Sequence, residues 1–467
     1  MTYGRRKARD GLRGASPRAT ELPEESGDGK AVSTGPEERS KQPTGAGKQV
    51  SHGKAVKGRE MRTAETLLNI LQDRGKRQLP LDDVYRQLYT PDLSLRSYAT
   101  LSTHDGAMTP GITAETVDGW SREKVAKSIE AIRDERWQWT PVKRLLLDKP
   151  TGGKRPLGLP VWSEKVVQDI VRSILEAYDE PPCSTYRHGV RPHRGCHTAL
   201  HEVGETWTGT KWCIEGDLKG CFAPIDHAIL LHLLRENIQD HRFLRLIEGA
   251  LKAGYCAAWT YHPSLSGSPQ GGIVSPMLSH ISMDRFDRCV QDTLIPEDTR
   301  GTRRKRSRES KRLACHAHYD RKTGRRARAE ARRNAMQPPP SVDPNDAEYR
   351  RVRYGRYADD FLLGYAGTMA EATAIKEKSA AFVGPQLPLT LSADKTLRPH
   401  AGTGRARCLG DAIGMMNRQT KFDKARRRAV IAKIGLYIPE DVLEKKRKRY
   451  LRDGKAPHRA ERMHESE

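Results

Sequence analysis

The spacing of apolar residues changes several times along the chain, and each change predicts an element. From Ala64 onward, Leu67, Leu68 and Leu71 share one helical face, Val84, Leu88 and Tyr98 are spaced for further helices, and Val125, Ile129 and Ile132 repeat the period after a turn-rich break at residues 106–111. Leu145, Leu146 and Leu147 read as a strand, with a hairpin turn at residues 150–153. Residues 166–178 return to helical spacing. Residues 211–217 then alternate, Trp212, Ile214 and Gly216 on one face and Cys213, Glu215 and Asp217 on the other, so that Asp217 ends a strand. Residues 225–238 and 243–251 have the spacing of helices. Two apolar, aromatic-rich runs at residues 352–357 and 361–365 are joined by Ala358-Asp359-Asp360, a hairpin with two carboxylates at its tip.

Other stretches lack any such period. Residues 1–60 are Gly, Ser, Pro, Lys and Glu with almost no branched aliphatics, so burial cannot offset the entropy of ordering them, and a disordered arm is expected. Gly45-Ala46-Gly47-Lys48 within it lacks the leading Gly and the trailing hydroxyl of a phosphate-binding loop. Residues 300–333 are dominated by Arg and Lys and run into three prolines, which reads as a solvated insertion loop available to nucleic acid.

Charge extends that reading to the whole chain. The 467 residues carry 83 Lys and Arg against 59 Asp and Glu, a formal charge of +24, and so basic a body points to a polyanionic partner. No apolar run is long enough to cross a bilayer, and the first twenty residues lack the apolar segment of a secretory signal. The eight cysteines form no C-x-x-C pair, which argues against a disulfide scaffold or a paired-thiol zinc finger. Cys315, His316 and His318 are close together, but in a run of arginines that would repel a cation.

Two adjacent acids at a tight turn between buried strands repel each other unless something positive neutralises them. Asp217, at the end of another strand, supplies a third carboxylate, and three oxygen ligands suit Mg²⁺. In a two-metal site the ions activate an attacking hydroxyl and stabilise the leaving oxygen of a phosphoryl displacement. On these residues alone, the alternative of aspartates that merely favour turns stays open.

Longer motifs narrow the choice. Tyr357-Ala358-Asp359-Asp360 resembles the signature hairpin of reverse transcriptases, and Asp217 with Phe222 resembles their first palm motif. The ordered blocks RLLLDKPTGGKRPLGLP, VVQDIVRSILEAYDEP, YRHGVRPHRGCHTAL, EGDLKGCFAPIDH, SGSPQGGIVSPMLSHI, RYGRYADDFLLG, LSADKT and ARCLG resemble those of group II intron reverse transcriptase/maturases over about residues 65–460. The resemblance implies an α+β right-hand polymerase fold with fingers, palm and a partial helical thumb. It implies an RNA-directed DNA polymerase whose partners are an RNA template, intron RNA, a DNA primer and deoxynucleoside triphosphates, with two Mg²⁺ ions. It also implies a cytoplasmic, nucleoid-associated or ribonucleoprotein location. The rival is a non-enzymatic RNA-binding maturase remnant that assists intron folding and splicing.

Carried over by position, the resemblance implies that Asp217 and Asp359 ligate metal and Asp360 supports them. Phe222 would pack against the sugar of the incoming nucleotide and exclude a 2′-hydroxyl, and Gln270 would lie near the nascent pair. Lys149, Lys154 and Arg155 on the fingers hairpin would meet the triphosphate, and Lys395 would protonate the departing pyrophosphate. His188, Arg191 and Arg194 would track the template backbone. A core Phe, a Gly-rich turn and solvated basic side chains are the alternatives at these positions. Ala223-Pro224 and Asp411 depart from the family pattern, which usually has Asp-Asn and an aromatic there. The expected organisation is a basic arm over residues 1–60, a helical N-terminal extension over 61–130, fingers and palm over 131–414 with a basic insertion at 298–345, and the start of the thumb, domain X, over 415–467. So short a thumb, with no Cys/His-rich endonuclease module, predicts distributive synthesis and weak splicing assistance.

Overall fold

The computed structural model describes residues 63–149, 152–219, 226–264, 271–335, 342–343, 345–386, 390–391, 400–402, 404–417 and 431–450. The disordered arm expected over residues 1–60 lies outside them, as do Phe222, Gln270 and Lys395.

The N-terminal periodicity becomes α1 (Ala64–Lys76), α2 (Pro91–Ser102) and α3 (Arg122–Arg133). Side-chain oxygens of Thr63 and Ser121 cap the first and third by accepting from backbone N–H groups. Val84 and Leu88 fall in and beside a short 3₁₀ turn, Tyr85–Tyr89, where an α-helix was expected; Pro91, at the first position of α2, already starts the next helix. The strand around Leu145 is β1 (Val142–Asp148), which pairs antiparallel with β2 (Lys154–Leu159), and α4 (Trp162–Asp179) comes next. The helices of the N-terminal extension share one core with helices later in the chain. Leu67, Leu71, Leu88 and Leu93 pack in the same cluster as Ile170, Ile174, Leu230 and Phe243. The Tyr85 N–H donates to Asp240 Oδ2 at 2.8 Å, fastening the 3₁₀ turn to a capping residue far along the chain.

The second half builds the sheet that carries the acids. After α5 (Cys196–Thr206), β3 runs Trp212–Lys219, two residues past its expected end at Asp217. Helices α6 (His227–Arg235) and α7 (His241–Lys252) lead to a small hairpin, β4 (Tyr255–Ala257) and β5 (Thr260–His262). β4 pairs parallel with β1, giving a sheet of order β2-β1-β4-β5. α8 (Ser275–Cys289) continues through a π-helical segment into the short α9 (Ile295–Asp298). The basic stretch expected to be a loop is instead a helical hairpin, α10 (Arg308–Lys322) and α11 (Arg326–Ala335). Its Arg, Lys, Ala and Glu are all strong helix formers, and Ser307 caps α10.

The long hairpin is β6 (Arg351–Tyr357) and β7 (Asp360–Ala366), succeeded by α12 (Met369–Gln386) and β8 (Thr390–Leu391); the sheet order is β6-β7-β3-β8. One face packs Ile214, Val352, Tyr354, Phe361 and Leu363 against Phe286 of α8 and Ile375 of α12. The other packs Cys213 and Leu362 against Trp207 and a three-stranded sheet of β9 (Ala406–Cys408), β10 (Asp411–Asn417) and β11 (Ile431–Tyr437). Helix α13 (Glu440–Tyr450) ends the described chain. The boundary expected at residue 414 cuts through β10. The Met415–Ile434 pairing makes residues on both sides of it one sheet.

Glu371 ties β6 to α12: it accepts from Arg350 Nε at 2.9 and 2.8 Å and from the Thr368 N–H at 2.8 Å. Burial works against its charged form, but these donors prevail and hold the carboxyl at about 2. A depressed carboxylate contributes stability that is present above its unfolded value near 4.5 and lost as pH falls through 2. Glu371→Gln should therefore lower the melting temperature at pH 7 and converge on the wild type as pH falls below 4.5. Parallel melting curves across that range would contradict it.

Candidate active site

Strand register brings the acids together. Asp217 of β3 is the cross-strand partner of Asp360, and Tyr357 pairs with Asp360 across a two-residue turn formed by Ala358 and Asp359. Direct cross-strand partners have Cα atoms about 5 Å apart, so three carboxylate-bearing positions meet at one end of the sheet. Asp360 is the first residue of β7, one position beyond the turn in which the sequence pattern placed it. On the other face, Gly216 leaves room for the Phe361 ring, into which any Cβ at 216 would run. Ala358 has φ +54°, a left-handed conformation that costs a residue with a Cβ about 1–2 kcal/mol, and the surroundings must hold it there.

A buried ion pair does so. Arg356 and Asp287 of α8 both have fully buried side chains. Arg356 Nε donates to Asp287 Oδ1 at 2.7 Å and Nη2 donates to Oδ2 at 2.5 Å, a bidentate fork, and the Tyr354 hydroxyl donates to Oδ1 at 2.6 Å. The remaining guanidinium nitrogen, Nη1, donates to the Ala358 carbonyl at 2.8 Å, gripping the turn from below. His280 Nδ1 lies 3.3 Å from the same nitrogen. Burial first, then the charges of Arg356 and Arg187, push its pKa well below the usual imidazole value, so it is neutral and accepts from Arg356.

The segment before α5 braces the turn from the side. The His188 N–H donates to the Arg356 carbonyl and the Arg356 N–H donates to the Tyr186 carbonyl, so residues 186–188 run along β6. Gly189 then passes so close that a Cβ would fall 2.5 Å from the Ala358 nitrogen. The side chains expected to follow a template are used inside the protein. His188 is buried, its ring nitrogens 3.0 Å from Thr198 Oγ1 and 3.0 Å from Glu202 Oε2. Arg191 forks onto Glu180, and Arg194 donates to the carbonyls of Thr185 and Arg187.

The fingers candidates lie on the other sheet. Lys149 and Gly153 close the turn between β1 and β2 with a 2.9 Å backbone bond, and Lys149, Lys154 and Arg155 are all exposed. Lys154 pairs with Asp148 and Arg155 with Leu147, so as neighbours on one strand they point to opposite faces. Beside the carboxylates, burial pushes Glu215 up to about 7, opposed by Arg407 and reinforced by Asp360. Among the described residues there is no preformed group of three His, Cys, Asp or Glu side chains around one point. The donor set at the hairpin, carboxylates alone, nevertheless has the hard-oxygen chemistry that a divalent cation takes.

Sequence reading missed Asp287, His280 and Gly189. A signal for Asp287 was present: in Val352-Arg353-Tyr354-Gly355-Arg356 the alternation puts Arg356 on the same inward face as Val352 and Tyr354, and an inward arginine requires a buried acid.

Residues 147–398 match the model of the reverse transcriptase (RNA-dependent DNA polymerase) family, more than half of the chain. The chain belongs to that family, and within it to the group II intron reverse transcriptase/maturases. It is 35% identical over 387 residues to the group II intron-encoded protein LtrA of Lactococcus lactis subsp. cremoris, covering 80% of this chain and 63% of that protein. It is 35% identical over 367 residues to an uncharacterized 91 kDa protein in a cob intron of Schizosaccharomyces pombe, covering 75% and 44%. Protein YkfC of Escherichia coli K12 is 32% identical over 320 residues, covering 65% and 76%. The chain thus spans less than two thirds of the length of the first two.

Removing one partner of a buried charge pair costs about 3–5 kcal/mol, because the other is left uncompensated. Asp287→Ala should lose that much in denaturant unfolding. Asp287→Leu combined with Arg356→Met should regain most of it, since the pair is replaced by apolar volume. An Asp287→Ala protein as stable as the wild type would show that the pair does not hold the turn.

Proposed function

We propose that the chain is an RNA-directed DNA polymerase of a group II intron, extending a DNA primer on an RNA template from deoxynucleoside triphosphates, with intron RNA as a binding partner. The observation that carries this is the Asp217–Asp360 register with Asp359 in the adjoining turn, in a chain of the reverse transcriptase family. Asp217 and Asp359 would hold two Mg²⁺ ions, with Asp360 in support. Bound there, the ions would lower the pKa of the primer 3′-hydroxyl and stabilise charge on the leaving pyrophosphate. The protein's own part is to hold the turn that carries Asp359: Arg356 Nη1 bonds the Ala358 carbonyl, so little reorganisation is needed there when substrate arrives. Lys149 at the fingers turn and either Lys154 or Arg155 would neutralise the triphosphate from one face of the hairpin. Phe222 would exclude the ribose 2′-hydroxyl, Gln270 would contact the nascent pair, and Lys395 would donate a proton to pyrophosphate. Arg194 is the residue of its loop best retained for template backbone, because it is less buried than His188 and its bonds to the Thr185 and Arg187 carbonyls use Nη1 alone, whereas Arg191 forks onto Glu180.

Primer extension on an RNA template with Mg²⁺ tests the assignment. Asp217→Asn and Asp359→Asn should each lower the rate by orders of magnitude while far-UV circular dichroism stays unchanged. Extension at the wild-type rate by both variants would leave the chain a binder of intron RNA and not a polymerase.

The helical hairpin supports the RNA partner. Between residues 300 and 335 there are fifteen Lys and Arg against three acids. Released counterions make such binding steeply salt-dependent, so replacing residues 308–335 by a short Gly-Ser linker should flatten the slope of log affinity against log salt. An unchanged slope and affinity would make the hairpin a bystander.

A further inference from the structure

The β4–β5 hairpin turns on two residues, Ala258 and Trp259, both at positive φ, +47° and +65°. Mirror-image turns of this kind favour Asn and Gly, and a bulky residue there is strained. The strained residue is also wholly exposed: Trp259 shows 100% of its surface to solvent, the most of any large apolar side chain described. A turn that bears both costs holds the indole out for a partner.

The surroundings say which partner. β4 meets β1 only at Val142–Tyr255 and Lys143–Cys256, so β1 runs on beyond β4 toward the turn at Lys149. Because the two strands are parallel, the Trp259 turn faces the same way as that overhang. Leu145, Leu146 and Leu147 are exposed along it. Between residues 143 and 155 there are five Lys and Arg and one acid. At the base, the Arg144 guanidinium lies 4.1 Å from the Tyr255 ring centroid, and Tyr255 stacks on His262 at 4.9 Å. An exposed aromatic beside a basic strand overhang is the composition of a single-strand binding surface, in which bases stack on rings and phosphates meet cations.

We propose that Trp259 stacks on an unpaired base of a single-stranded nucleic acid lying along the β1 overhang, a contact that rests on the polymerase reading and assigns the single strand of its substrate to this face. A protein strand added to the open β1 edge, or a second copy of this chain, is disfavoured by the positive charge there. The test measures binding of a fluorescent primer–template with a single-stranded template overhang of about ten nucleotides, beside a blunt duplex of the same sequence. Trp259→Ala should weaken overhang binding about ten-fold, within the range for one stacked base, and leave the blunt duplex unmoved, while Trp259→Phe should keep most of the affinity. Ultraviolet irradiation of wild type on an overhang carrying 5-bromouridine should cross-link the peptide containing Trp259. Equal weakening on both substrates, a Phe variant as weak as Ala, a cross-link elsewhere, or a wild-type dimer that Trp259→Ala dissociates would each overturn the proposal. Wild type that favours the overhang through Trp259 yet extends no primer would sink the polymerase reading and leave the stacking surface standing.

Discussion

The site depends on one buried charge pair. Arg356 and Asp287 meet out of water, where two charges are tolerated only if nearly every polar atom is satisfied. Here both Asp287 oxygens are engaged, and three guanidinium nitrogens have partners. The pair does more than satisfy itself, because the guanidinium nitrogen outside the fork, Nη1, reaches the Ala358 carbonyl and fixes the strained turn on which Asp359 sits. Apolar residues of equal volume could supply the packing. They could not supply a donor aimed at the turn, which is a physical reason to retain an expensive pair at this position.

Everything around the turn serves the same constraint. α8 delivers Asp287 and Phe286 to one face of the sheet, and the core there holds the helix in place. The opposite face is closed by Trp207 and the β9–β11 sheet, which leaves only the end of β3 and the hairpin tip for the acids. His188 and Arg191 lock the adjoining loop, and Gly189 lets it pass within contact of Ala358. Arg191 illustrates how a site can use a positively charged residue for position rather than for substrate.

The hairpin was legible because two apolar, aromatic-rich runs, one alternating and one buried throughout, flank Ala358-Asp359-Asp360; the eight ordered blocks then pointed to the family. What failed to show was set by distance along the chain. Asp287 lies 69 residues from Arg356, and no local pattern connects them. The β10–β11 pairing was hidden because Asp411–Asn417 is short, Gly-interrupted and buried by partners far away in sequence. The charge density of the basic insertion points to a solvated loop, whereas its Arg, Lys and Ala form helices readily when two helices can pack as a pair. The side chains of Lys154 and Arg155 could be separated only once the β1–β2 register was known.

We propose that the turn braced by Arg356 holds Asp359 beside Asp217 at the end of β3, so that both carboxylates can take divalent metal. A structure of the protein with Mg²⁺, a primer–template ending in a dideoxynucleotide and the next deoxynucleoside triphosphate tests it most directly. Oxygens of both aspartates should then lie about 2.1 Å from Mg²⁺, with the Arg356–Ala358 bond intact. Metal held away from these carboxylates, or a turn released from Arg356 when substrate binds, would contradict it.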